Sequence, residues 1–304
     1  MANCVTFSLW SDTIALKSEG RAASDRPLFS IIIPTFNSAT MPKNLSATLS
    51  SIVKQTYCRW EIIVVDGFST DGTHELVRAF PTRFFQVSGP IAVANNFGIR
   101  QAKGQYLLFL DSDQELPRTF LEECVDQIRS RKVDCIGYRQ IIKDPLGGIS
   151  RCNRFHNFER FLGAEPSDGI YCYSRSVVSG ASFPEELTVM EDYYFRAQIL
   201  RKHPRIGYVR GIVFHHRPQS ARWLILRAIQ YGRVTRRMSG QRLPKGMLRN
   251  YFSLTKRNAE TRIDVQIGLL PPLLFIPFLL LKYIAFTFGF LLEQVGTLMG
   301  PRVT

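Results

Sequence analysis

No two cysteines of the 304-residue chain stand at the C-x-x-C spacing, and no run of histidines accompanies them. The six cysteines at 4, 58, 124, 135, 152 and 172 are scattered. A structural zinc site is therefore not indicated, and reduced thiols are expected. The N-terminal stretch lacks the basic start and long apolar core of a secretory signal, so residues 1–27 read as a loosely ordered extension. No basic, Gly-rich phosphate loop follows the first apolar run: "PTFNSAT" stands there instead, which weighs against nucleotidyl transfer. Internal repeats and low-complexity tracts are missing too. Acids almost vanish from one region. Residues 196–262 hold 17 Lys/Arg and a single acid, Glu260. This local excess is larger than the formal net charge of +14 on the whole chain, so the remainder is close to neutral. A one-sided basic run of this size meets phosphates, either of nucleic acid or of lipid headgroups.

What is present begins with alternation. "LFSIIIPTFN" (28–37) and "WEIIVVDG" (60–67) read as apolar strands closed by turn residues. "KNLSATLSSIVKQT" (43–56) between them has the helical period, and "STDGTHELVRAF" (69–80) carries a cap signal at Thr70 or Asp71 before a second helix. A short strand, "RFFQV", follows. "PIAVANNFGIRQAKG" (90–104) reads as a helix with Pro at its start and Gly104 at its end, and "QYLLFL" as the next strand. Continuous apolar strands alternating with helices predict an α/β fold, a mostly parallel sheet covered on both faces. In such sheets ligands gather at the carboxyl ends of the strands. Asn37, Asp66 and the pair Asp111/Asp113 all fall at those ends.

Two carboxylates as close as Asp111 and Asp113 repel unless a cation sits between them or one is protonated. Hard oxygen ligands of this kind suit Mg²⁺ or Mn²⁺ held jointly with substrate phosphates; the plain alternative is a solvated acidic turn. Further on, "MEDYYFRAQILRKH" (190–203) reads as a helix opening on two acids, which by itself is also simple helix capping. "IGYVRGIVFHH" (206–216) reads as a strand ending in His215 and His216. Alternation sends these two side chains to opposite faces, and His216 is taken as the one facing the acids.

Together "SIIIPTFN", "EIIVVDG.STDGT", "A.N.GI..AKG.YLLFLDSD" and "MEDYYF" resemble family 2 glycosyltransferases of the GT-A (Rossmann-like) fold, over residues 29–216. The resemblance implies a domain over 28–216 and a role for each matching residue. Pro34, Thr35 and Asn37 would line the nucleotide pocket, and Asp66 would lie against the base or ribose. Asn96 and Lys103 would flank the diphosphate. Asp113 would bind the divalent metal, with Asp111 on the ribose or the metal shell and a histidine as a further ligand. Asp192 of the Glu191-Asp192 pair would be the catalytic base. Two departures stand out: Gly67 replaces a second acid of "VVDDGS", and Asn95 replaces an Arg. A Q-x-x-R-W motif of processive synthases is missing, which favours single-sugar addition.

"SARWLILRAIQYGRVTRR" (220–237) is a basic amphipathic helix suited to a membrane interface, within a basic region over 217–262. The tail 263–304 contains "IGLLPPLLFIPFLLLKYIAFTFGFLL" (267–292), with Lys282 as its one charge. It is long enough to span a bilayer, although Pro271, Pro272 and Pro277 favour a kinked or re-entrant form lying in one leaflet as the alternative. The Lys/Arg bias places the main domain on the cytoplasmic face. The expected function is metal-dependent, inverting sugar transfer from a nucleotide-sugar donor to a lipid-linked or cell-envelope acceptor, without nucleic acid. The rivals are nucleotidyl transfer, a basic nucleic-acid-binding module, and a degenerate family member that binds nucleotide without turnover. A nucleic-acid module leaves Asp66, Asp111, Asp113 and Asp192 without a task.

Overall fold

The computed structural model describes residues 26–40, 45–144, 153, 170–216, 220–239 and 276–298. Most of the N-terminal extension, residues 145–152 and 154–169, the later part of the basic region 217–262 and the start of the tail 263–304 lie outside these described residues.

The first strands are apolar without interruption because both of their faces are covered. β1 (Phe29–Thr35), β2 (Trp60–Asp66), β3 (Thr82–Gln86) and β4 (Tyr106–Phe109) run parallel in the order β3-β2-β1-β4. Side chains alternate across the sheet. Ile31, Ile33, Val64 and Leu108 enter one core, with α1 (Leu45–Val53), α2 (Thr73–Arg78) and α4 (Phe120–Arg131). Ile32, Ile63, Val65, Leu107 and Phe109 enter the other. That second core is closed by α3 (Ile91–Gln101), by the single turn α5 (Arg175–Val178) and by α6 (Glu191–Leu200). Each fully buried Ile contributes about 1.5–3 kcal/mol relative to an exposed one. The doubly covered sheet is thus the expected one.

The expectation of a mostly parallel sheet holds only for this half. β5 (Gln114–Glu115), β6 (Cys135–Lys143), β7 (Ile170–Ser174) and β8 (Ile206–His216) complete an eight-stranded sheet in the order β3-β2-β1-β4-β7-β6-β8-β5. β7 is antiparallel to both β4 and β6, and β5 is antiparallel to β8. Only β6 and β8 are parallel there. Element boundaries also shrink. The helix expected over 69–80 starts at Thr73, because Asp71 is used to fold the preceding loop. Its Oδ1 accepts from the Thr73 N–H at 3.2 Å, and its Oδ2 from the Ala39 N–H at 2.8 Å. The helix expected over 90–104 ends at Gln101, and Gly104 instead lies under β1, where a Cβ would sit 2.6 Å from the Ser30 nitrogen.

Cys124, Cys135 and Cys172 are free and buried. Cys58 is exposed and disulfide-bonded, which corrects the expectation of reduced thiols at that position.

The basic amphipathic segment is α7 (Ala221–Ser239), and the tail contributes α8 (Ile276–Leu298). The two helices touch backbone to backbone. A Cβ on Gly232 would lie 2.0 Å from the Phe286 carbonyl oxygen, and one on Gly289 would lie 2.0 Å from that of Ile229. Small residues permit such an approach. Arg233 Nε donates to Glu293 Oε2 at 3.1 Å, and Arg237 Nε to Glu293 Oε1. Among the described residues no helix is long and apolar enough to cross a membrane, and the first part of the expected apolar segment, 267–275, lies outside them. The outer face of α8 nevertheless leaves Leu280, Leu281, Ile284, Phe288, Leu291 and Leu292 exposed.

Candidate active site

A cavity of about 620 Å³ opens at the carboxyl ends of β1, β2 and β4. Its floor at β1 is Pro34, Thr35 and Phe36, with Gly67 from the end of β2. A chain of hydroxyls ties this floor to the turn after β4. Thr35 Oγ1 donates to Ser38 Oγ at 2.8 Å, and Ser38 Oγ lies 3.1 Å from Ser112 Oγ. Thr48 of α1 donates to the Ser112 carbonyl at 2.9 Å. The turn that carries Asp111 and Asp113 is thereby fixed from two sides before any ligand arrives.

Asn37 and Asp66, both expected in the nucleotide pocket, do not line the cavity; they build its rim. Asn37 adopts a left-handed φ of 49°, its N–H donates to Ser69 Oγ at 2.7 Å, and its Oδ1 accepts from the Thr70 N–H at 2.9 Å. Asp66 is buried. Its carboxylate accepts from the Ser69 N–H at 2.9 Å, from Gln86 Nε2 at 3.1 Å and from the Ser69 hydroxyl. A buried carboxylate needs such partners, and here the loop after β2 supplies them. At Gly67 a Cβ would stand 3.2 Å from the Phe36 ring, so the place of the missing second acid is filled by an exposed aromatic.

Asn96 and Lys103 are placed away from the cavity. Asn96 is buried, donating to the Phe183 carbonyl at 2.8 Å and to Glu185 at 2.9 Å while accepting from the Phe183 N–H. Its neighbour Asn95 is the one that lines the cavity, with a buried Oδ1 that has no hydrogen-bond partner. Lys103 lies before β4, at the amino ends of the strands. There its N–H donates to Glu61, whose register partner is Ser30 at the start of β1. The carboxyl edge, where Thr35 pairs with Asp66, is the opposite one.

Asp111, Asp113 and His215 converge. Their ligand atoms lie within 4.8 Å of one another. His215 Nε2 is 3.0 Å from Asp113 Oδ1 and 3.7 Å from Asp111 Oδ2. Asp111 Oδ2 also accepts from Gln114 Nε2 at 3.0 Å. His216, the histidine chosen from sequence, points the other way: its Nε2 lies 2.9 Å from Glu115 Oε1, and its N–H donates to the Asp113 carbonyl at 2.8 Å. Pairing of Gln114 with His215 in the β5–β8 ladder sets this parity, which the strand pattern alone left open. Two carboxylates and a buried imidazole nitrogen form a donor set that fits a divalent ion, the carboxylates suiting Mg²⁺ or Mn²⁺ and the nitrogen donor a transition metal.

Glu191 and Asp192 open α6 after Met190, whose φ of 64° is unusual for a non-glycine residue. Such a conformation persists where packing over-determines it. Met190 is held by Leu187, Val189 and Tyr194 and by Tyr231 and Val234 of α7. Both acids line the cavity. Asp192 is exposed to it, with Oδ1 accepting from the Tyr193 N–H at 2.8 Å. Glu191 is 9% exposed, and its Oε2 is buried without a hydrogen-bond partner. Burial first, and the Asp192 charge second, push its carboxyl up to about 7, against a smaller opposing effect of Arg227. Sequence reading offered His215 only as the alternative to His216, noted Asn95 only as a departure from the family pattern, and did not place Arg196, Trp223, Arg227 or Tyr231 at the cavity. The 223/227/231 spacing marks one helix stripe, but nothing in the sequence says what that stripe faces.

The comparisons fit this geometry. Among solved structures, Staphylococcus aureus TarS in complex with UDP-GlcNAc is similar at a TM-score of 0.54 and 20% identity, covering 79% of this chain and 77% of that one. The mannosyltransferase PcManGT from Pyrobaculum calidifontis, in complex with GDP-Man and Mn²⁺, is similar at 0.55 and 18%, covering 91% and 88%. At those identities the likeness speaks for the fold. In sequence, the glycosyltransferase AglE of Haloferax volcanii is 34% identical over 144 residues, 44% of this chain and 46% of that protein. WfgD of Escherichia coli, a UDP-Glc:alpha-D-GlcNAc-diphosphoundecaprenol beta-1,3-glucosyltransferase, is 28% identical over 58% of this chain and 71% of its own length. The match thus spans about half the length of relatives such as AglE. The family model "Glycosyl transferase family 2" matches residues 30–185, just over half of the chain and the part that builds β1 to β7, and the chain therefore belongs to glycosyl transferase family 2.

Proposed function

We propose that this protein transfers a single sugar from a nucleotide-sugar donor to a hydroxyl of a lipid-linked or cell-envelope glycan, with inversion at the anomeric carbon. The observation that carries the reading is one cavity reached from different elements by the Asp111–Asp113–His215 group and by Asp192. Sugar transfer needs both. The departing diphosphate gains negative charge, and the attacking hydroxyl loses a proton. A divalent ion held by Asp111, Asp113 and His215 would offset the first by several kcal/mol. Asp192 accepts the proton through the carboxylate oxygen not engaged by the Tyr193 N–H, a contribution of about 10²–10⁴-fold in rate. Attack on the face opposite the departing diphosphate inverts the centre. Pro34, Thr35 and the exposed Phe36 receive the nucleoside, while Asn37 and Asp66 hold the loops that shape its pocket.

The acceptor class is supported by the printed activity of WfgD and by the surface of α7 and α8. On α8 the row Leu280, Leu281, Ile284, Phe288, Leu291 and Leu292 is exposed, and α7 beside it presents Arg222, Arg233 and Arg237 to solvent. An apolar row next to cations matches the interfacial region of an anionic bilayer. The protein thus works attached to the cytoplasmic face of the membrane through these two helices.

The test is a panel of nucleotide sugars with Mn²⁺ and membrane extract, scored by released nucleoside diphosphate. Asp113→Ala and Asp192→Asn run beside the parent. Full activity in both variants would remove the assignment.

A further inference from the structure

Three residues of α7 stand apart from the rest of that helix. Trp223, Arg227 and Tyr231 are four residues apart, lie on one stripe, and all line the cavity. The Arg227 guanidinium carbon is 5.9 Å from the centre of the Trp223 ring and 5.4 Å from that of Tyr231, so the cation is held between two aromatic faces. Arg233 and Arg237 are paired with Glu293 of α8. Arg227 forms no salt bridge among the described residues, and its Nε is buried with no hydrogen-bond partner. A buried guanidinium donor left unmade in this way costs free energy unless a ligand completes it.

We propose that Trp223, Arg227 and Tyr231 form an acceptor subsite in which Arg227 binds the phosphate group of a phosphorylated sugar while Trp223 covers the sugar ring. This subsite rests on the glycosyl-transfer reading above and deepens it. A planar guanidinium with an unmade Nε donor matches phosphate oxygens, and an indole face matches the C–H face of a pyranose. Position separates the two phosphate sources. The donor diphosphate belongs with Asp111 and Asp113 at the end of β4. Arg227 instead shares the cavity wall with Glu191 and Asp192, and the next turn of its helix, at Tyr231 and Val234, packs on the Met190 turn that precedes them. It therefore stands where the attacking hydroxyl must arrive, beside Asp192. The rigid spacing also acts as a ruler: a phosphate on Arg227 fixes how far the nucleophilic hydroxyl reaches toward Asp192.

The test uses the full chain and titrates N-acetylglucosamine 1-phosphate, and separately inorganic phosphate, by calorimetry. Each is added to the protein alone and to protein saturated with UDP and Mn²⁺. Binding of the sugar phosphate is expected in both states. Arg227→Gln is expected to weaken it about tenfold, and Arg227→Lys less. Trp223→Ala is expected to abolish the advantage of the sugar phosphate over inorganic phosphate. UDP affinity should stay within about twofold in Arg227→Gln. Unchanged sugar-phosphate binding in Arg227→Gln, or no binding to the parent protein, overturns the subsite. Loss of UDP affinity in Arg227→Gln, together with displacement of the sugar phosphate by UDP, would assign Arg227 to the donor diphosphate and overturn it as well. Failure of the glycosyl-transfer reading looks different: the parent protein then binds no nucleoside diphosphate, whatever its Arg227-dependent phosphate binding.

Discussion

The two halves of the sheet divide the work unevenly. In the parallel half, β3-β2-β1-β4, the polar residues after β1 and at the end of β2 are spent on architecture. Asn37 and Asp66 bind loops, and the cavity meets Pro34, Thr35, Phe36 and Gly67 instead. In the mixed half and the helices beyond it, the charged groups are left for the cavity. Asp111, Asp113, His215, Glu191, Asp192 and Arg227 all come from residues after β4. The parallel half presents a shaped, mostly uncharged surface, and the mixed half brings the reactive groups to it.

Substitutions in the two halves should therefore fail in different ways. The largest effect is expected at Asp192→Asn, about 10²–10⁴-fold in turnover with unchanged affinity for nucleoside diphosphate. Asp113→Ala should cost about 10²–10³-fold and abolish the dependence of nucleotide affinity on Mn²⁺, while the melting temperature holds. Both are read by product release and calorimetry. A melting temperature that falls with either would blur the contrast.

Glu191→Gln sharpens it from the stability side. Glu191 titrates at about 7 when folded, against 4.5 for an ordinary Glu, so the folded state binds its proton more tightly than the unfolded one does. The contribution of Glu191 to stability is then full below pH 4.5 and is lost as pH rises through about 7, a change of about 3 kcal/mol in the metal-free protein. Glu191→Gln should flatten that slope in urea unfolding series, and an unchanged slope would assign the pH dependence elsewhere. Asp66→Ala should behave as a folding lesion, costing about 1.5–3 kcal/mol because its charge-assisted bonds to Ser69 and Gln86 are lost. A variant of normal stability and no activity would place Asp66 with the reactive groups and break the comparison. The smallest effect separates the two histidines. His215→Gln should weaken Mn²⁺ binding about tenfold, and His216→Gln should leave it within about twofold.

Much of this was legible beforehand, for identifiable reasons. Ile31 to Ile33 and Ile62 to Val65 are apolar at every position, which only a sheet buried on both faces requires, and both faces are indeed covered. Asp111 and Asp113 could be picked out because two carboxylates at the end of an apolar strand repel unless a cation joins them, whereas Glu191 and Asp192, which a helix start favours in any case, stood out only through the family resemblance. Asn96 lies away from the cavity because a helix places adjacent residues on different sides, Asn95 facing the cavity and Asn96 the Phe183 loop, and Lys103 lies away because it follows the helix, at the amino edge of the sheet. The antiparallel β7 escaped notice because a strand of five residues carries no directional signal.

By itself, then, the order of apolar runs, turns and acids settled the layered architecture and the edge at which chemistry could occur, since periodicity and burial are local properties of the chain. The choice of His215 over His216, the retreat of Asn37 and Asp66 into loop building, and the arrival of Trp223, Arg227 and Tyr231 at the cavity were decided only in three dimensions. Each depends on a register or a helix rotation set by distant partners, β5 against β8 and α7 against the Met190 turn, and no local pattern encodes which way such a face will turn.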